Sequence, residues 1–451
     1  MEEYMKILLE QIRCKSARKL VEKEIREHIL EQYEENLEEG MDETCAMEAA
    51  VEDMGSPVET GVALDAIHRP QMSWSMLIII GVISFFSILI QVLVGNGNPM
   101  LGSGHILKHG VHVMLGFAMM LLVYRLDYSK IGRYAKRITG IACIVLLAAI
   151  CLGITASVNG VRAWIPTPFI PLSIPALLLF AVPLYGGILY SYYGTEYTGL
   201  FKSILWMIPP IWVAFLVPKI SLAVMLLFLQ GILLSVALWK NWFQVKKYWV
   251  LGGFWGSILT FPVILVMLGK KFGWIAQYQM ERLALYLGQT ESDTSSAFYF
   301  LRDGFKEYRL WGAAEIENPL METGQSYFSD YLISFVGMNY GILAAVLLIL
   351  LILAVIVKGI SIVVKQKNKL GRIMGFGCGI VFLGELCLHV FTCIGQLPSA
   401  ASSLPLFSYG GSRLVVFYML LGLMLSIYRY KNILPSTGNR KKRPMKRRIA
   451  E

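Results

Sequence analysis

The chain has 451 residues, 56% of them hydrophobic and only 16% charged, with a mean hydropathy of +0.57. That balance excludes an ordinary soluble enzyme and fits a polytopic membrane protein. The net charge of +10 is spread unevenly, because residues 1–70 carry 18 acidic against 8 basic side chains and the remainder is strongly positive.

Residues 1–70 read as a separate soluble unit. The stretches from Glu2 to Arg13 and from Ala17 to Glu39 have helical apolar spacing, with Leu20, Ile25, Ile29 and Tyr33 set among charges. Gly40 and Gly55 are expected helix stops, and Asp42 and Ser56 expected starts, the latter followed by Pro57 at the first helical position. A small cytoplasmic bundle of three or four helices is the expected result. The pattern from Gly40 to Gly61 resembles the prefix domain ahead of some Gram-positive permease-like membrane proteins, which implies a docking or regulatory module.

Apolar runs of membrane-spanning length then fall near 74–95, 110–126, 138–156, 171–190, 204–218, 220–239, 248–268, 331–357, 373–395 and 406–428. The expected fold is therefore all-α, with about ten transmembrane helices. The fifth run is short and broken by Pro209, Pro210 and Pro218. The N-terminus is charged and helix-patterned, unlike a cleavable signal peptide.

Basic clusters after the second, sixth, eighth and tenth runs share one side, which predicts both termini in the cytoplasm. The 269–329 segment is then a large external loop. Residues 431–451 form a basic cytoplasmic tail, whose place directly after a span favours anionic-lipid contact over nucleic acid. The seven cysteines contain no CxxC pair, so neither a zinc site nor a disulfide framework is indicated.

One stretch departs from ordinary span composition: Leu404-Pro405-Leu406-Phe407-Ser408-Tyr409-Gly410-Gly411-Ser412. Its glycine pair lets the backbone bend or approach another group closely, and Pro405 is expected to set the start of the last helix. Such backbone at membrane depth is tolerated only where protein or a watery cavity covers it, so the stretch is expected to line a site. Asp330, at the outer end of the eighth run, is either a helix-start residue or an acid–base group. Arg162 and Arg282 also face outward. Guanidinium groups grip phosphate oxygens and a carboxylate accepts a hydroxyl proton, which together suit an anionic lipid-linked substrate; the alternative is that the arginines snorkel to headgroups.

With these segments in view, the chain resembles the SEDS family of bacterial cell-wall polymerases (FtsW, RodA, SpoVE). The 404–412 segment is similar to the family's LPFxSYGGSS signature, with Leu397-Pro398 ahead of it. Asn159-Gly160-x-Arg162-x-Trp164-Ile165 resembles the NGxRRWI segment, and Tyr278-Gln279-x-x-Arg282 the YQxxR element. Ser329-Asp330-Tyr331-Leu332-Ile333 with Val336-Gly337 resembles TDFIFxxxG, and Asp127-Tyr128 a further common pair. The resemblance covers about 74–430.

The resemblance implies polymerisation of lipid II outside the bacterial cytoplasmic membrane, with release of undecaprenyl pyrophosphate. It also implies a class B penicillin-binding transpeptidase as partner and a role in division, elongation or sporulation. Asp330 falls on the family's essential aspartate, the catalytic base. A divalent cation (Mg or Mn) is the one cofactor that comes into question, with Asp330 as its ligand. Arg162, Trp164, Gln279, Arg282, Ser408, Tyr409, Gly410, Gly411 and Ser412 are the expected substrate-binding residues.

Several positions depart from the family pattern. Ser173 and Ala176 stand at its glutamate and lysine positions, Met338-Asn339 at an acidic pair, Phe328-Ser329 at His-Thr, and Ala163 at its second arginine. A catalytically degenerate scaffold or lipid II-binding regulator is therefore the alternative to an active polymerase. A transporter is a third reading, resting on the broken fifth run.

Overall fold

The computed structural model describes residues 1–96, 104–158, 161–167, 171–217, 219–272, 301, 304–314, 327–397 and 403–431. It divides into two compact units, one made of Met1–Met72 with residues 429–431, the other of Ser73–Tyr428.

In the first unit, four helices (Glu2–Gln11, Lys15–Glu38, Glu43–Glu52 and Pro57–His68) enclose a core of Met5, Leu8, Ile12, Ala17, Val21, Ile29 and Ala50. These are the apolar positions of the helical spacing, removed from water together. Asp42 and Ser56 are the N-cap residues, and Gly40 and Gly55 take φ of 92° and 71°. The side chain of Tyr430 packs against the same core.

The second unit is a multi-pass helical membrane protein. Among the described residues, eight helical segments are long and apolar enough to cross a membrane: Trp74–Gly95, Gly104–Arg125, Ile174–Ser191, Tyr197–Leu216, Ser221–Trp239, Ile342–Val364, Lys369–Cys393 and Gly411–Arg429. The helices Ala135–Cys151, of 17 residues, and Lys247–Phe272 stand where the third and seventh spans are expected. The fifth span is broken as its prolines predict, into Tyr197–Leu205 and Ile208–Leu216, with Pro209 and Pro210 in the first turn of the second piece.

Three boundaries differ from expectation. Between the third and fourth spans the chain forms a small antiparallel sheet of β1 (Ala156–Val158), β2 (Val161–Ile165) and β3 (Leu172–Ser173). Trp164 pairs with Ser173 across it. The last helix begins at Gly411, so Pro405 sits in a separate turn ahead of it and does not open the helix.

The eighth span also begins later than expected, at Ile342, because the chain breaks at Gly341 after a short helix, Leu332–Tyr340. Gly341 has φ of 96°, and a Cβ there would lie 2.7 Å from the Leu310 carbonyl oxygen. The 309–314 segment supplies the hydrogen bonds that the break removes. Ile342 N–H donates to Arg309 O at 2.9 Å, and Ala314 N–H donates to Met338 O at 2.8 Å. Backbone exposed by a broken helix is thus satisfied by protein. Tyr308 packs its ring where Gly337 has no side chain, and its hydroxyl meets Ser334 Oγ at 2.6 Å.

Candidate functional site

The 404–412 stretch is the meeting point of five chain segments. Leu404 N–H donates to Ser408 Oγ at 2.7 Å, and Ser408 Oγ–H donates to the Ser329 carbonyl at 2.6 Å. One hydroxyl therefore closes the turn and ties it to the residue before Asp330. At the start of the last helix, Ser412 Oγ accepts from Ser173 N–H at 2.9 Å. That bond joins the stretch to β3, and through the pairing of Trp164 with Ser173 to β2.

The inner side of the stretch is held by polar side chains from the first two spans. Ser87 Oγ–H donates to Leu406 O at 2.6 Å and also meets His109 Nε2 at 2.9 Å. Since the serine hydrogen is used on the carbonyl, His109 Nε2 is the donor of that second bond. Gln91 Nε2 donates to Phe407 O at 2.8 Å, while its Oε1 accepts from His105 Nε2 at 2.9 Å. The ring of Tyr409 stacks on His105, centroids 4.1 Å apart. This clamp fixes a backbone whose strained residue is Leu406, at φ of 68°.

Gly410 acts differently from the sequence expectation. Gly410 has no positive φ, and a Cβ added to it would meet nothing within 4 Å. It bends no backbone and permits no close approach; it leaves space open.

Asp330 ends the short Tyr327–Asp330 helix, outside the spans, and is half-buried. Its Oδ1 accepts from the Ser329 hydroxyl at 3.2 Å. Burial raises its carboxyl above the usual range, opposed by the positive charges of Arg413 and Lys219 and by the Ser329 hydrogen bond. Arg413, in the first turn of the last helix, donates from Nη2 to Glu385 Oε1 at 3.1 Å, and the Glu385 side chain is only 1% exposed. Lys219 precedes the Ile220–Trp239 helix, its ammonium 5.8 Å from the Trp164 ring centroid. Burial and the Arg413 charge lower its pKa, against the pull of Asp330 and Glu385.

The structure thus brings together Asp330, Trp164, Ser408 and Ser412, with Tyr409, Gly410 and Gly411 on the same stretch. Arg162 lies in β2, paired through its backbone with Ser157. Gln279 and Arg282 lie outside the described residues. Sequence reasoning missed Lys219, Glu385 and Arg413. An ionisable residue in or beside an apolar run was the signal that could have found them.

Asp127 and Tyr128 prove structural. Asp127 caps the Tyr128–Arg133 helix through Ser129 N–H at 2.8 Å, and buried Tyr128 accepts from Asn368 Nδ2 at 2.8 Å. Among the described residues no three His, Cys, Asp or Glu side chains gather as metal ligands.

Fold and site define a multi-pass helical membrane protein with a charged site walled by a clamped, glycine-containing turn. The model of the cell cycle protein family FtsW/RodA/SpoVE matches residues 69–433, and the chain belongs to that family.

It is 24% identical over 341 residues to a probable peptidoglycan glycosyltransferase FtsW of Geobacter metallireducens, covering 71% of this chain and 84% of the relative. It is 23% identical over 333 residues to one from Aliivibrio salmonicida, covering 71% and 79%. Among solved structures it resembles a chain of a peptidoglycan synthase complex studied for the coordination of polymerization and crosslinking. That match has a TM-score of 0.62 and 18% identity, over 79% of this chain and 98% of the other. The rod shape determining protein RodA of Thermus thermophilus matches with a TM-score of 0.56 and 16% identity, over 80% and 97%. At these identities the two structures speak for the fold.

Proposed function

We propose that this chain is a peptidoglycan glycosyltransferase that polymerises lipid II at the outer face of the bacterial cytoplasmic membrane. The observation that carries the proposal is Asp330. Its carboxylate engages no ion pair among the described residues, sits beside two cations, and is tied through Ser329 to Ser408 of the clamped stretch. A carboxylate so placed can accept the proton of the attacking sugar hydroxyl. Positive charge beside it suits the departing undecaprenyl pyrophosphate. The FtsW names of the relatives support the same chemistry.

In this reading both termini are cytoplasmic, the 1–70 unit is a docking module, and the basic tail lies against anionic lipid. The 269–329 segment, with Gln279 and Arg282, is an external loop that contacts substrate together with Arg162. The partner is a class B penicillin-binding transpeptidase, in keeping with the synthase complex among the structural neighbours.

Purified full-length protein, alone and with a cognate transpeptidase, is expected to convert lipid II into glycan polymer, and Asp330→Ala to abolish it. Equal polymer from the variant removes Asp330 from the mechanism. Lipid II binding with no polymer from either protein favours the scaffold reading, whose basis is the loss of ionisable groups at Ser173 and Ala176.

A further inference from the structure

Lys219 has no role in the site as read from the sequence, yet its placement is costly. It precedes the first turn of the Ile220–Trp239 helix, where the helix dipole disfavours a cation. It is half-buried, with Arg413 as a like-charged neighbour. Among the described residues its ammonium makes no hydrogen bond and no ion pair, and its one close partner is the face of Trp164 at 5.8 Å.

The nearby carboxylates do not neutralise it. Glu385, almost fully buried, spends its Oε1 on Arg413 at 3.1 Å. Asp330 interacts with Lys219 electrostatically but forms no ion pair within 4 Å. An unpaired ammonium and an unpaired carboxylate thus face one site without closing on each other. That arrangement leaves the carboxylate free to take a proton and the ammonium free to take an anion.

We propose that Lys219 is the cation that receives the diphosphate of the lipid-linked substrate, with the Trp164 ring holding its side chain toward the site. The inference rests on the polymerase reading for its substrate class. The ammonium binds the diphosphate while Asp330 meets the sugar hydroxyl, so one charge of each sign serves a different end of the reaction. Position 176, where the family pattern has a lysine, is a fully buried alanine here and contributes no charge.

The test uses the full-length protein in detergent, with fluorescent lipid II as ligand and inorganic pyrophosphate as competitor. Lys219→Met and Lys219→Gln are expected to weaken lipid II binding about tenfold, the size of one charge-assisted contact of roughly 1.4 kcal/mol, and to abolish competition by pyrophosphate. Lys219→Arg is expected to restore both. Asp330→Asn is expected to bind lipid II as the wild type does while making no polymer, which separates this inference from the polymerase reading. Unchanged affinity and unchanged pyrophosphate competition in both neutral variants, with thermal stability preserved, overturn the proposal. So does a wild-type protein that binds no lipid II. Binding that depends on Lys219 without any polymer sustains the proposal and sinks the polymerase reading alone.

Discussion

Gln91→Leu tests whether the polar clamp positions the 404–412 stretch or merely fills the space between helices. Leucine keeps most of the side-chain volume and removes two buried hydrogen bonds, to Phe407 O at 2.8 Å and from His105 Nε2 at 2.9 Å. Hydrogen bonds between membrane helices average about 0.6 kcal/mol and reach about 1.7. The pair is then worth roughly 1–3 kcal/mol. Because one acceptor is the carbonyl next to Leu406, which holds φ of 68°, this loss falls on strained backbone.

The matching control is Ser235→Ala, which removes the hydrogen bond that Trp255 Nε1 donates to Ser235 Oγ at 2.9 Å, away from the clamp. Unfolding in mixed detergent gives the stability loss for each variant, and lipid II polymerisation gives the functional loss. Gln91→Leu should lose activity well beyond the control at comparable stability. If the two variants lose activity in proportion to stability alone, the clamp has no positioning role.

Four further outcomes follow from the same geometry. Asp330 must be ionised to act as a base, and burial raises its pKa, so activity should fall with decreasing pH at a midpoint above the ordinary aspartate value of about 3.9. Lys219 opposes that rise, so Lys219→Met should move the midpoint further up; a pH–rate profile that stays in place contradicts the assigned electrostatics. Gly341→Ala should destabilise the protein by more than the roughly 1–3 kcal/mol of a non-glycine residue in this positive-φ, extended-ψ region, because its Cβ also meets the Leu310 carbonyl. Wild-type melting of that variant would show that the break does not need glycine. Gly410→Ala should leave stability within about 0.5 kcal/mol, since nothing lies within 4 Å of the added methyl, and should raise KM if the open space receives substrate.

The parts legible in the sequence were those written in local signals. Helical spacing, the glycine stops at 40 and 55 and the caps at Asp42 and Ser56 gave the first unit helix by helix. Continuous apolar runs located the spans, and Pro209 and Pro210 announced the broken fifth one. Ser408, Tyr409 and Ser412 stood out because polar groups at the end of a span need partners. Leu406 carried no such mark, for its left-handed φ is imposed from outside by Ser87 and the turn. The break at Gly341 was hidden for the same reason. Apart from Asn339 and Tyr340 the flanking residues are apolar, and the hydrogen bonds that permit the break come from 309–314, a segment with no helical or strand pattern of its own.

Charge placement was the least legible property, since it depends on which helix ends meet. Ser173 and Ala176 read as losses when the chain is compared with the family pattern. In the fold, Ser173 N–H holds Ser412, its backbone pairs with Trp164, and Ala176 is packed without solvent contact. Those two positions therefore secure the wall of the site, while among the described residues the cations acting on Asp330 are Lys219 and Arg413, 40 and more residues further along the chain. A pairing such as Arg413 with Glu385 is meaningful only once two spans lie side by side, with the carboxylate withdrawn from water and fixed by its partner. The buried pair thereby does what no single residue at 173 or 176 does here: it fixes a cation across two spans, while among the described residues the Asp330 carboxylate makes no ion pair.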